Sequence, residues 1–495
     1  MYIFVCINIL KKVKSSSILF FCVAALCAVS CSGNYEFAQL YEDLPFEMGR
    51  VSRPDIPDRR VSLSDFGGRG DGVTDNTAAF AEAIGRLEAL GGGHLDVPSG
   101  VYLTGPVELK SHIDLHVTPQ AIIIFNPDRS LYPVIRTVYE GIDTWRCESP
   151  IHAEGATDIA ITGGGVIDGS GEAWRALKRK KVAPEDWKSL TGGHGIYVEE
   201  KTTWYPDESY YEANRVADES TPVKYMSAEQ LEKYKIFLRP VMVSLRRCTN
   251  VLLEDCMFQN SPAWNIHPLL CNNVIVKNIT ARNASYAQNG DGIDVDSCQD
   301  VVIVGSTFDV GDDGICIKSG RDEDGRARGV PSKGIIVHGC TVLRGHGGFV
   351  VGSEMSGGVE NIKVSCCRFM GTDAGLRFKS RRGRGGEVKN IFIEDISMKD
   401  IKADAIVFDL YYNDDLSLSE ISELYENKLE SVYPCNIPME KKEIPVRVIA
   451  PIEKAVGLFS GFATKDSLRD FNRVGTVLLT TTAAGNLTAK VVTKK

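Results

Sequence analysis

Short apolar runs recur along the middle of the chain at a spacing that one conventional domain does not explain. Several follow an asparagine, and neighbouring runs lie about two to three dozen residues apart. Glycine, asparagine and aspartate separate the runs, and helical patterning is nearly absent from about residue 110 to residue 410. Such a repeat predicts stacked structural units. The runs include Val251-Leu-Leu253, Val274-Ile-Val276, Val301-Val-Ile-Val304, Ile335-Ile-Val337, Ile362-Lys-Val364 and Ile391-Phe-Ile393, and the asparagines are Asn250, Asn273, Asn361 and Asn390.

The repeat predicts an all-β fold, a parallel β-helix (a solenoid) in which every coil supplies a few short strands. Strands of successive coils would pair about 4.8 Å apart. A β-propeller is the alternative, but no regular four-strand blade period is visible. Ahead of the repeat, Val61-Ser-Leu-Ser-Asp-Phe66 predicts a strand, and Thr74-Asp-Asn-Thr77 predicts the cap of a helix from Ala78 to Leu90. A short helix would therefore cap the N-terminal end.

The chain divides into segments of different composition. Residues 1–31 form a leader, 32–60 a linker, 61–412 the β-helix domain and 413–495 a C-terminal segment in which the repeat fades. For that last segment a helical cap, a disordered tail and a disrupted reading frame are alternatives. A charged, aromatic-rich insertion at 173–239 interrupts the β-helix domain. We expect it to be ordered beside one end of a groove; a neutral surface excursion is the alternative.

The leader has the pattern of an export signal. Lys11-Lys-Val-Lys14 precedes an apolar stretch from Ile18 to Val29, which is too short to span a membrane comfortably. Ala28-Val-Ser-Cys31 resembles a bacterial lipoprotein cleavage box, with Ala28 where leucine is usual. We therefore expect a signal peptide of lipoprotein type and membrane attachment through a lipid on Cys31; ordinary secretion is the alternative. The protein would be exported, either periplasmic or an outer-membrane lipoprotein.

Composition limits the kinds of partner. Of 495 residues, 43% are hydrophobic and 24% charged, as in soluble globular proteins. The net charge of −9 argues against nucleic-acid binding. No Cys/His spacing suggests a zinc site, and we expect a monomer without metal or cofactor. Disulfides are open to an exported chain, but five cysteines in or beside β-type runs are expected to be buried small hydrophobic residues. These are Cys256, Cys298, Cys316, Cys340 and Cys366.

Acidic, histidine and basic residues follow successive runs in the second half of the repeat. Asn289-Gly-Asp-Gly-Ile-Asp294 follows the run at Val274, and Gly311-Asp-Asp-Gly314 follows the run at Val301. Gly345-His-Gly347 and Arg377-Phe-Lys379 belong to the next two coils. Residues at the same phase of stacked coils share a face, so these side chains would line one strip. Its members would be Asp291, Asp312, Asp313, His346, Arg377 and Lys379.

Such a strip has the groups that hydrolysis of an acidic sugar polymer requires. Close carboxylates raise one another's pKa, so one can be a protonated acid while others remain ionised as bases. Arg377 and Lys379 alternate on a strand and would present one side to a substrate carboxylate. Taken singly, each motif has an ordinary explanation: a turn aspartate, a loop histidine or a solvated strand face. Their occurrence in order, one per coil, favours catalysis. Further cations extend the patch at Arg381, Arg382 and Arg384.

In these motifs the chain resembles glycoside hydrolase family 28, the polygalacturonases. The family shows Asn-Thr-Asp, Asp-Asp-Cys, Gly-His-Gly and Arg-Ile-Lys in that order, and this chain departs from it at Gly290, Gly314 and Phe378. Asp65-Phe-Gly-Gly-Arg-Gly-Asp-Gly72 and Gly163-Gly-Gly-Val-Ile-Asp-Gly169 also look like family landmarks. The resemblance covers about residues 61–412.

The resemblance implies a right-handed parallel β-helix and inverting hydrolysis of α-1,4-linked galacturonic acid in pectin. By position, Asp312 corresponds to the general acid, Asp291 and Asp313 to the carboxylates that activate water, and His346 to a support for the acid. Adjacent coils place the carboxylates closer together than inverting enzymes usually do, so spacing alone would favour retention. The substrate-binding residues that the resemblance implies are Arg377, Lys379 and Asn289.

Three other functions remain as alternatives. A Ca²⁺-dependent pectate lyase could use Asp312 and Asp313 as ligands, but this order of motifs belongs to hydrolases. A rhamnogalacturonan hydrolase is disfavoured by the two cations, and a non-catalytic glycan-binding β-helix needs no acid pair with a histidine. Among hydrolases we expect exo action, because the insertion and the loop Arg321-Asp-Glu-Asp-Gly-Arg-Ala-Arg328 flank the acids and would close the groove into a pocket. Similar loops characterise exo-acting bacterial members of the family.

Overall fold

The computed structural model describes residues 36–409 except 43, 218–222 and 382, and it also describes residue 412 and five strands further on. These strands are Cys435–Met439, Lys442–Ile449, Leu468–Arg469, Thr476–Thr481 and Leu487–Val492. The leader, with Cys31, lies outside the described residues. Residues 36–45 belong to a separate small unit with one helix, Ala38–Tyr41. No helix in the described part of the chain is long and apolar enough to cross a membrane.

Between residues 60 and 409 the chain forms the predicted parallel β-helix, whose coils place strands on three faces. Residues one coil apart pair in parallel: Val251 pairs with Val274, and Val274 with Val301. The first sheet has ten strands, Arg60–Ser62, Gly93–Val97, Ile113–Val117, Thr157–Thr162, Thr249–Glu254, Asn272–Lys277, Gln299–Val304, Ser332–His338, Val359–Ser365 and Val388–Glu394.

The other two faces are the second and third sheets, and one long strand, Thr341–Val351, belongs to both. The second sheet also contains Asp71–Asp75, Gly100–Thr104, Ala121–Phe125, Val166–Asp168, Met257–Gln259, Thr280–Arg282, Thr307–Asp309, Arg368–Met370 and Ile396–Lys399. The third sheet also contains Val107–Glu108, Ile151–Glu154, Val243–Arg246, Ile266–Leu269, Ile293–Asp296, Ile315–Lys318, Thr372–Lys379 and Ile406–Asp409.

The recurrent asparagines mark a bend in the strands of the first sheet. Asn250, Asn273, Asn361 and Asn390 all have φ between 55° and 59°, a left-handed conformation that asparagine tolerates better than most residues. Their amides also bond from coil to coil: Nδ2 of Asn273 donates to Oδ1 of Asn250 at 2.7 Å, and Asn390 donates to Asn361 at 2.9 Å. Where asparagines precede two successive runs, they therefore help to keep those coils in register.

The interior of the β-helix is filled by one side of every strand. On the second sheet, Phe258, Phe308 and Phe369 are each 0% exposed and belong to one continuous core. Nine cysteines between Cys147 and Cys367 are free, and eight of them are buried. Cys366 is the exception: the expectation that it is buried is wrong, because it has φ 56° at a corner and is exposed, while Cys367 is buried in the core.

The N-terminal end is covered by the predicted helix, which spans Thr77–Ala89. Phe80, Ala83 and Leu87 join the core of the β-helix from this helix. The strand predicted over Val61–Phe66 is shorter in the structure, where it spans Arg60–Ser62. A capping box between Ser62 and Asp65 then begins a 3₁₀ helix, Leu63–Phe66.

Three excursions leave the coils and surround the region of the acidic motifs. The first, which the sequence did not reveal, is a hairpin of Val134–Tyr139 and Ile142–Cys147. The second is the insertion at 173–239, which is ordered where described. The third contains the helix Asp322–Arg328, called here the loop helix. The insertion contains the helices Pro184–Thr191, Glu208–Val216 and Ala228–Lys233, the 3₁₀ helices Arg179–Lys181, Glu199–Lys201, Val223–Tyr225 and Lys235–Phe237, and a small sheet of Leu177–Lys178, Ile196–Val198 and Thr203–Tyr205.

Candidate active site

Three aspartates meet where two successive turns lie side by side between the second and third sheets. One turn carries Asp291 and the next carries Asp312 and Asp313. The backbone N–H of Gly292 donates to the carbonyl of Asp313 at 2.9 Å, which fixes one turn against the other. One carboxylate oxygen from each aspartate lies within 4.8 Å of the others. Asp291 and Asp313 are only 3% and 1% exposed, so the sequence motifs converge on one largely dehydrated acidic centre.

His346 comes from the long strand Thr341–Val351 and reaches the same centre. Its backbone N–H donates to the carbonyl of Asp312 at 2.8 Å, and its Nδ1 lies 3.0 Å from Oδ1 of Asp312. Its Nε2 lies 3.2 Å from Nζ of Lys181 in the insertion. A lysine ammonium can only donate, so this contact makes Nε2 the acceptor and leaves Nδ1–H to donate to Asp312. The strand and the insertion together fix the orientation of the imidazole.

Arg377 and Lys379 lie on the strand Thr372–Lys379 and, as expected from their alternation, face the acids together. Nζ of Lys379 is 2.7 Å from Oδ2 of Asp313, and Nη1 of Arg377 is 3.8 Å from Oδ1. Both cations also approach the ring of Tyr412, at 5.4 Å for Arg377 and 5.1 Å for Lys379. The 7% exposure of the Lys379 side chain contrasts with 23% for Arg377, so Arg377 is the more accessible cation.

The cationic patch expected beyond these residues does not continue through Arg384. This arginine is 2% exposed and is held by the carbonyl of Ser353 at 2.7 Å and by Asp322 at 2.8 Å. It anchors the loop helix and is not available to a substrate. Arg382 lies outside the described residues.

The protonation of the acids differs from what the assignment of Asp312 as acid would require in the free protein. Burial, with the nearby charges of Asp294 and Asp312, raises the pKa of Asp291 well above its ordinary value. Burial also disfavours ionised Asp312. The hydrogen bond and charge of His346, with the charges of Lys379 and Lys181, outweigh that effect and hold the pKa of Asp312 below its usual range. In the free site, Asp291 is therefore the carboxylate that favours the protonated form, and Asp312 is the one that favours the ionised form.

A fourth aspartate and its lysine partner lie beside this centre. Asp294 is 0% exposed, and neither of its carboxylate oxygens accepts a hydrogen bond from the described residues. Burial raises the pKa of Asp294 well above its usual range, although Lys318 opposes this at 3.5 Å. Lys318 also pairs with Glu354 at 2.8 Å. Asp294 is therefore a second buried site that favours the protonated form.

Asn289 lies at the edge of a cavity of about 810 Å³ that adjoins the acids. Its Oδ1 accepts a hydrogen bond from Arg239 at 2.9 Å, and Arg239 also donates to the carbonyl of Gln288 at 3.0 Å. The hairpin, the insertion and the loop helix all contribute walls. They also touch one another: Asp324 accepts from the backbone N–H of Asp143 at 3.0 Å and lies 3.8 Å from Lys224. The three excursions therefore contact one another around this cavity.

Three neighbours of the acids were not identified from the sequence as site residues. Lys181 and Arg239 belong to the insertion, where no repeat phase predicts which side chains reach the groove. Tyr412 follows the last recognisable coil. Asp294, by contrast, stands in the quoted acidic motif, and its alternation with buried Ile293 and Val295 could have placed it on the outward face.

The donor set was also compared with that of a cation site. Three close carboxylates are compatible with Ca²⁺. Here, however, Lys379 and Arg377 already offset the charge of Asp313. Lys181 contacts His346, which is the hydrogen-bond partner of Asp312. Protein cations therefore take the places beside the acids, an arrangement suited to proton transfer and to binding of an anionic substrate.

Comparison with known proteins gives a consistent family. Residues 224–423 match the model for glycosyl hydrolases family 28. A probable polygalacturonase of Vitis vinifera is 32% identical over 352 residues, which cover 69% of this chain and 61% of that protein. An exo-poly-alpha-D-galacturonosidase of Dickeya chrysanthemi is 28% identical over 72% of this chain and 57% of its own length. The chain spans about three fifths of the length of these curated relatives.

Solved structures show the same relationship. A hyperthermoactive exopolygalacturonase from Thermotoga maritima has a TM-score of 0.62 and 40% identity, over 74% of this chain and 79% of that one. A family 28 exopolygalacturonase from Yersinia enterocolitica has a TM-score of 0.56 and 26% identity, over 73% of this chain and 62% of that one. The predicted right-handed parallel β-helix is thereby confirmed. With its acidic centre, ordered motifs and this similarity, the chain belongs to glycosyl hydrolase family 28.

Proposed function

We propose that the protein hydrolyses α-1,4-galacturonosidic bonds of polygalacturonate or its oligosaccharides. The observation that carries the proposal is the convergence of Asp291, Asp312 and Asp313 within 4.8 Å, beside Arg377 and Lys379. Acids alone would suit many sugars, whereas a partly exposed arginine and a buried lysine next to them select a carboxylate. The curated relatives and solved structures named polygalacturonase or exopolygalacturonase support the same substrate class.

The free site favours ionised Asp312 and protonated Asp291, whereas catalysis needs Asp312 as the acid and Asp291 as the base. Transfer of one proton between the two aspartates resolves this difference. The substrate carboxylate would take over part of the positive charge of Lys379 and Arg377. With less cationic stabilisation, the pKa of Asp312 rises and the shared proton moves to it from Asp291. Asp312 then protonates the leaving glycosidic oxygen, while ionised Asp291 takes a proton from the attacking water. The cycle ends as it began, with the proton on Asp291 and Asp312 ionised.

The proposed stereochemistry is inversion, although the short separation of the acids by itself favours retention. A retaining enzyme needs a free carboxylate as nucleophile. Here Asp313 is held by Lys379 and Asp312 by His346, and the proposed cycle uses ionised Asp291 to take a proton from water. Water is therefore the nucleophile of the proposed mechanism. Proton NMR of the first product decides this point: a β-anomer supports inversion, and an α-anomer overturns it.

We further propose exo action, from a chain end. The support is the cavity beside the acids, around which the hairpin, the insertion and the loop helix touch, together with the similarity to proteins named exo-poly-alpha-D-galacturonosidase and exopolygalacturonase. The test is an assay of purified protein on long polygalacturonate, with product sizing and viscosity. Release of small products while viscosity stays high supports the proposal. A rapid fall in viscosity with mixed oligomers contradicts exo action, and no reducing ends at all contradicts hydrolysis.

Export and lipid attachment remain proposals that rest on residues 1–31. Membrane fractionation of cells that express the full chain tests them, with Cys31→Ser as the matched variant. Wild type in the membrane fraction and the variant released from it would support a lipid on Cys31. A monomer is proposed too, and sedimentation velocity tests it.

A further inference from the structure

The cavity beside the acids contains two kinds of basic residue. Arg321 lies 3.8 Å from Glu140 and 3.3 Å from Asp322, and Lys224 lies 3.8 Å from Asp324, so both have carboxylate partners. Arg146 and Arg239 line the same cavity, and among the described residues neither forms an ion pair with a carboxylate. Two guanidinium groups thus line the cavity with no described carboxylate within ion-pair distance.

The contacts of these two arginines are with neutral groups. Arg146 donates to the carbonyl of its neighbour Trp145 at 2.8 Å and lies over the ring of Tyr139 at 4.1 Å. Arg239 donates to the carbonyl of Pro262 at 2.9 Å and to Asn289, as described above. Burial, with the charge of Arg239 among the smaller causes, lowers the pKa of Arg146. Both side chains are oriented by uncharged partners, and Glu140 is the carboxylate whose charge acts on both from beyond ion-pair distance.

Acidic residues also line the cavity, and they must be weighed against this pair. Glu140, Asp322 and Asp324 have the cationic partners Arg321, Arg384 and Lys224. Glu323 is exposed, so water screens its charge. Arg146 and Arg239 are therefore the two cations of the cavity lining that lie beyond ion-pair distance of its carboxylates.

We infer that Arg146 and Arg239 form a second carboxylate-binding subsite, which holds the galacturonate unit at the non-reducing end of the substrate. This inference rests on the proposed function. Arg377 and Lys379 would hold the carboxylate on the leaving-group side. The cavity is lined by Asn289, two residues before Asp291, and not by Arg377 or Lys379, so its arginines would hold a different sugar unit. Both sites are filled only when acidic units are consecutive, as in polygalacturonate. A rhamnogalacturonan, in which acidic and neutral units alternate, cannot fill both across the cleaved bond.

The key variant is Arg146→Gln, because Arg146 does not touch the acids or Asn289. The matched control is Lys224→Gln, which removes a cation of the same cavity that already has a carboxylate partner. Arg146→Lys keeps the charge while losing the planar fork. The two ligands are trigalacturonate and a trisaccharide whose non-reducing unit is galactose, with the other two units unchanged. Circular dichroism and thermal melting verify the fold of each variant.

Calorimetric binding in the Asp312→Asn background tests the subsite without requiring turnover. We expect Arg146→Gln to weaken trigalacturonate binding about tenfold to a hundredfold, the range for a lost charged hydrogen bond. The neutral-ended ligand should bind the variant and the parent equally, Lys224→Gln should change neither ligand by more than about twofold, and Arg146→Lys should restore part of the loss. Equal losses on both ligands, or no loss, would overturn the subsite. Hydrolysis of polygalacturonate by the wild type is measured in parallel, so that failure of the proposed activity is recognised separately from failure of the subsite.

Discussion

The ammonium nitrogen of Lys181 lies 3.2 Å from Nε2 of His346, although 165 positions separate the two residues in the chain. The contact ties the insertion to the catalytic centre, because the other ring nitrogen of His346 faces Asp312 at 3.0 Å. An element outside the repeat therefore influences the charge of a residue within it. Lys181 is one of the groups that hold the pKa of Asp312 below its usual range.

Replacing Lys181 by methionine should move the alkaline limb of the rate profile. Loss of its charge raises the pKa of Asp312, and a general acid must be protonated to act, so activity should persist to higher pH by up to about one unit. The measurement is kcat against pH on polygalacturonate. Lys180→Met, at the exposed neighbouring position, serves as control and should leave the profile in place. A limb that moves to lower pH, or not at all, contradicts the role given to Lys181.

Asp312→Asn should abolish turnover and leave the fold intact. The amide cannot donate the proton that the leaving oxygen needs, a contribution of about 10²–10⁴-fold in rate. Release of reducing ends from polygalacturonate measures the loss, and circular dichroism checks the fold. Near wild-type activity in the folded variant would show that another residue is the acid.

Arg377→Ala and Lys379→Ala should each impair use of polygalacturonate more than use of the methyl-esterified polymer, since both remove charge-assisted contacts to a carboxylate. Lys379→Ala should also destabilise the fold by about 3–5 kcal/mol, because it leaves Asp313 buried without its 2.7 Å partner. Urea unfolding separates the two effects. Equal kinetic losses on both polymers would remove the carboxylate-binding role.

Chelation should leave the activity unchanged. Acid/base hydrolysis needs no metal, and lysine and arginine already lie beside the acids. The assay is hydrolysis with and without EDTA, together with absorbance of unsaturated products. Loss of activity that Ca²⁺ restores, with unsaturated products, would instead support the lyase alternative.

Glu354→Gln should lower the free energy of unfolding in a pH-dependent way. Burial disfavours the ionised group, but Lys318 and Lys379 lower the pKa of Glu354 to about 2, from an ordinary 4.5. A depressed pKa stabilises the fold above the unfolded-state value, here by about 3 kcal/mol at pH 7. That contribution is lost as pH falls from 4.5 towards 2. Urea unfolding of both proteins at pH 7 and pH 3 should show the difference shrink.

The sequence predicted those parts of the molecule that a repeat governs. Runs such as Val274–Val276 pair in register because inward and outward side chains alternate with the strand period. The same phase rule placed Asp291, Asp312 and His346 on one strip, and the structure brings them together. Alternation likewise predicted the common orientation of Arg377 and Lys379.

Outside the repeat, the sequence has no periodic pattern from which the position of a side chain can be predicted. The hairpin Val134–Cys147 is β-rich, so its pattern is indistinguishable from that of a coil strand. Arg384 looks like a member of a cationic patch, and only tertiary contacts show that Asp322 and Ser353 bury it. The pKa shifts of Asp291 and Asp312 could not be predicted from the sequence either, because they depend on which charged side chains lie near each carboxylate in the folded chain.

The strand Thr341–Val351 makes the backbone of His346 more rigid than that of the other site residues. His346 lies in the only described strand that pairs within two sheets, so a shift of its backbone would break ladders on both faces at once. The acids lie on turns, and Lys181 arrives from an excursion that can lengthen or shorten without altering a coil. Sequence changes in such a scaffold are therefore tolerated best in the excursions. The position of His346 stays fixed, and new substrate preferences can arise in the walls around the site.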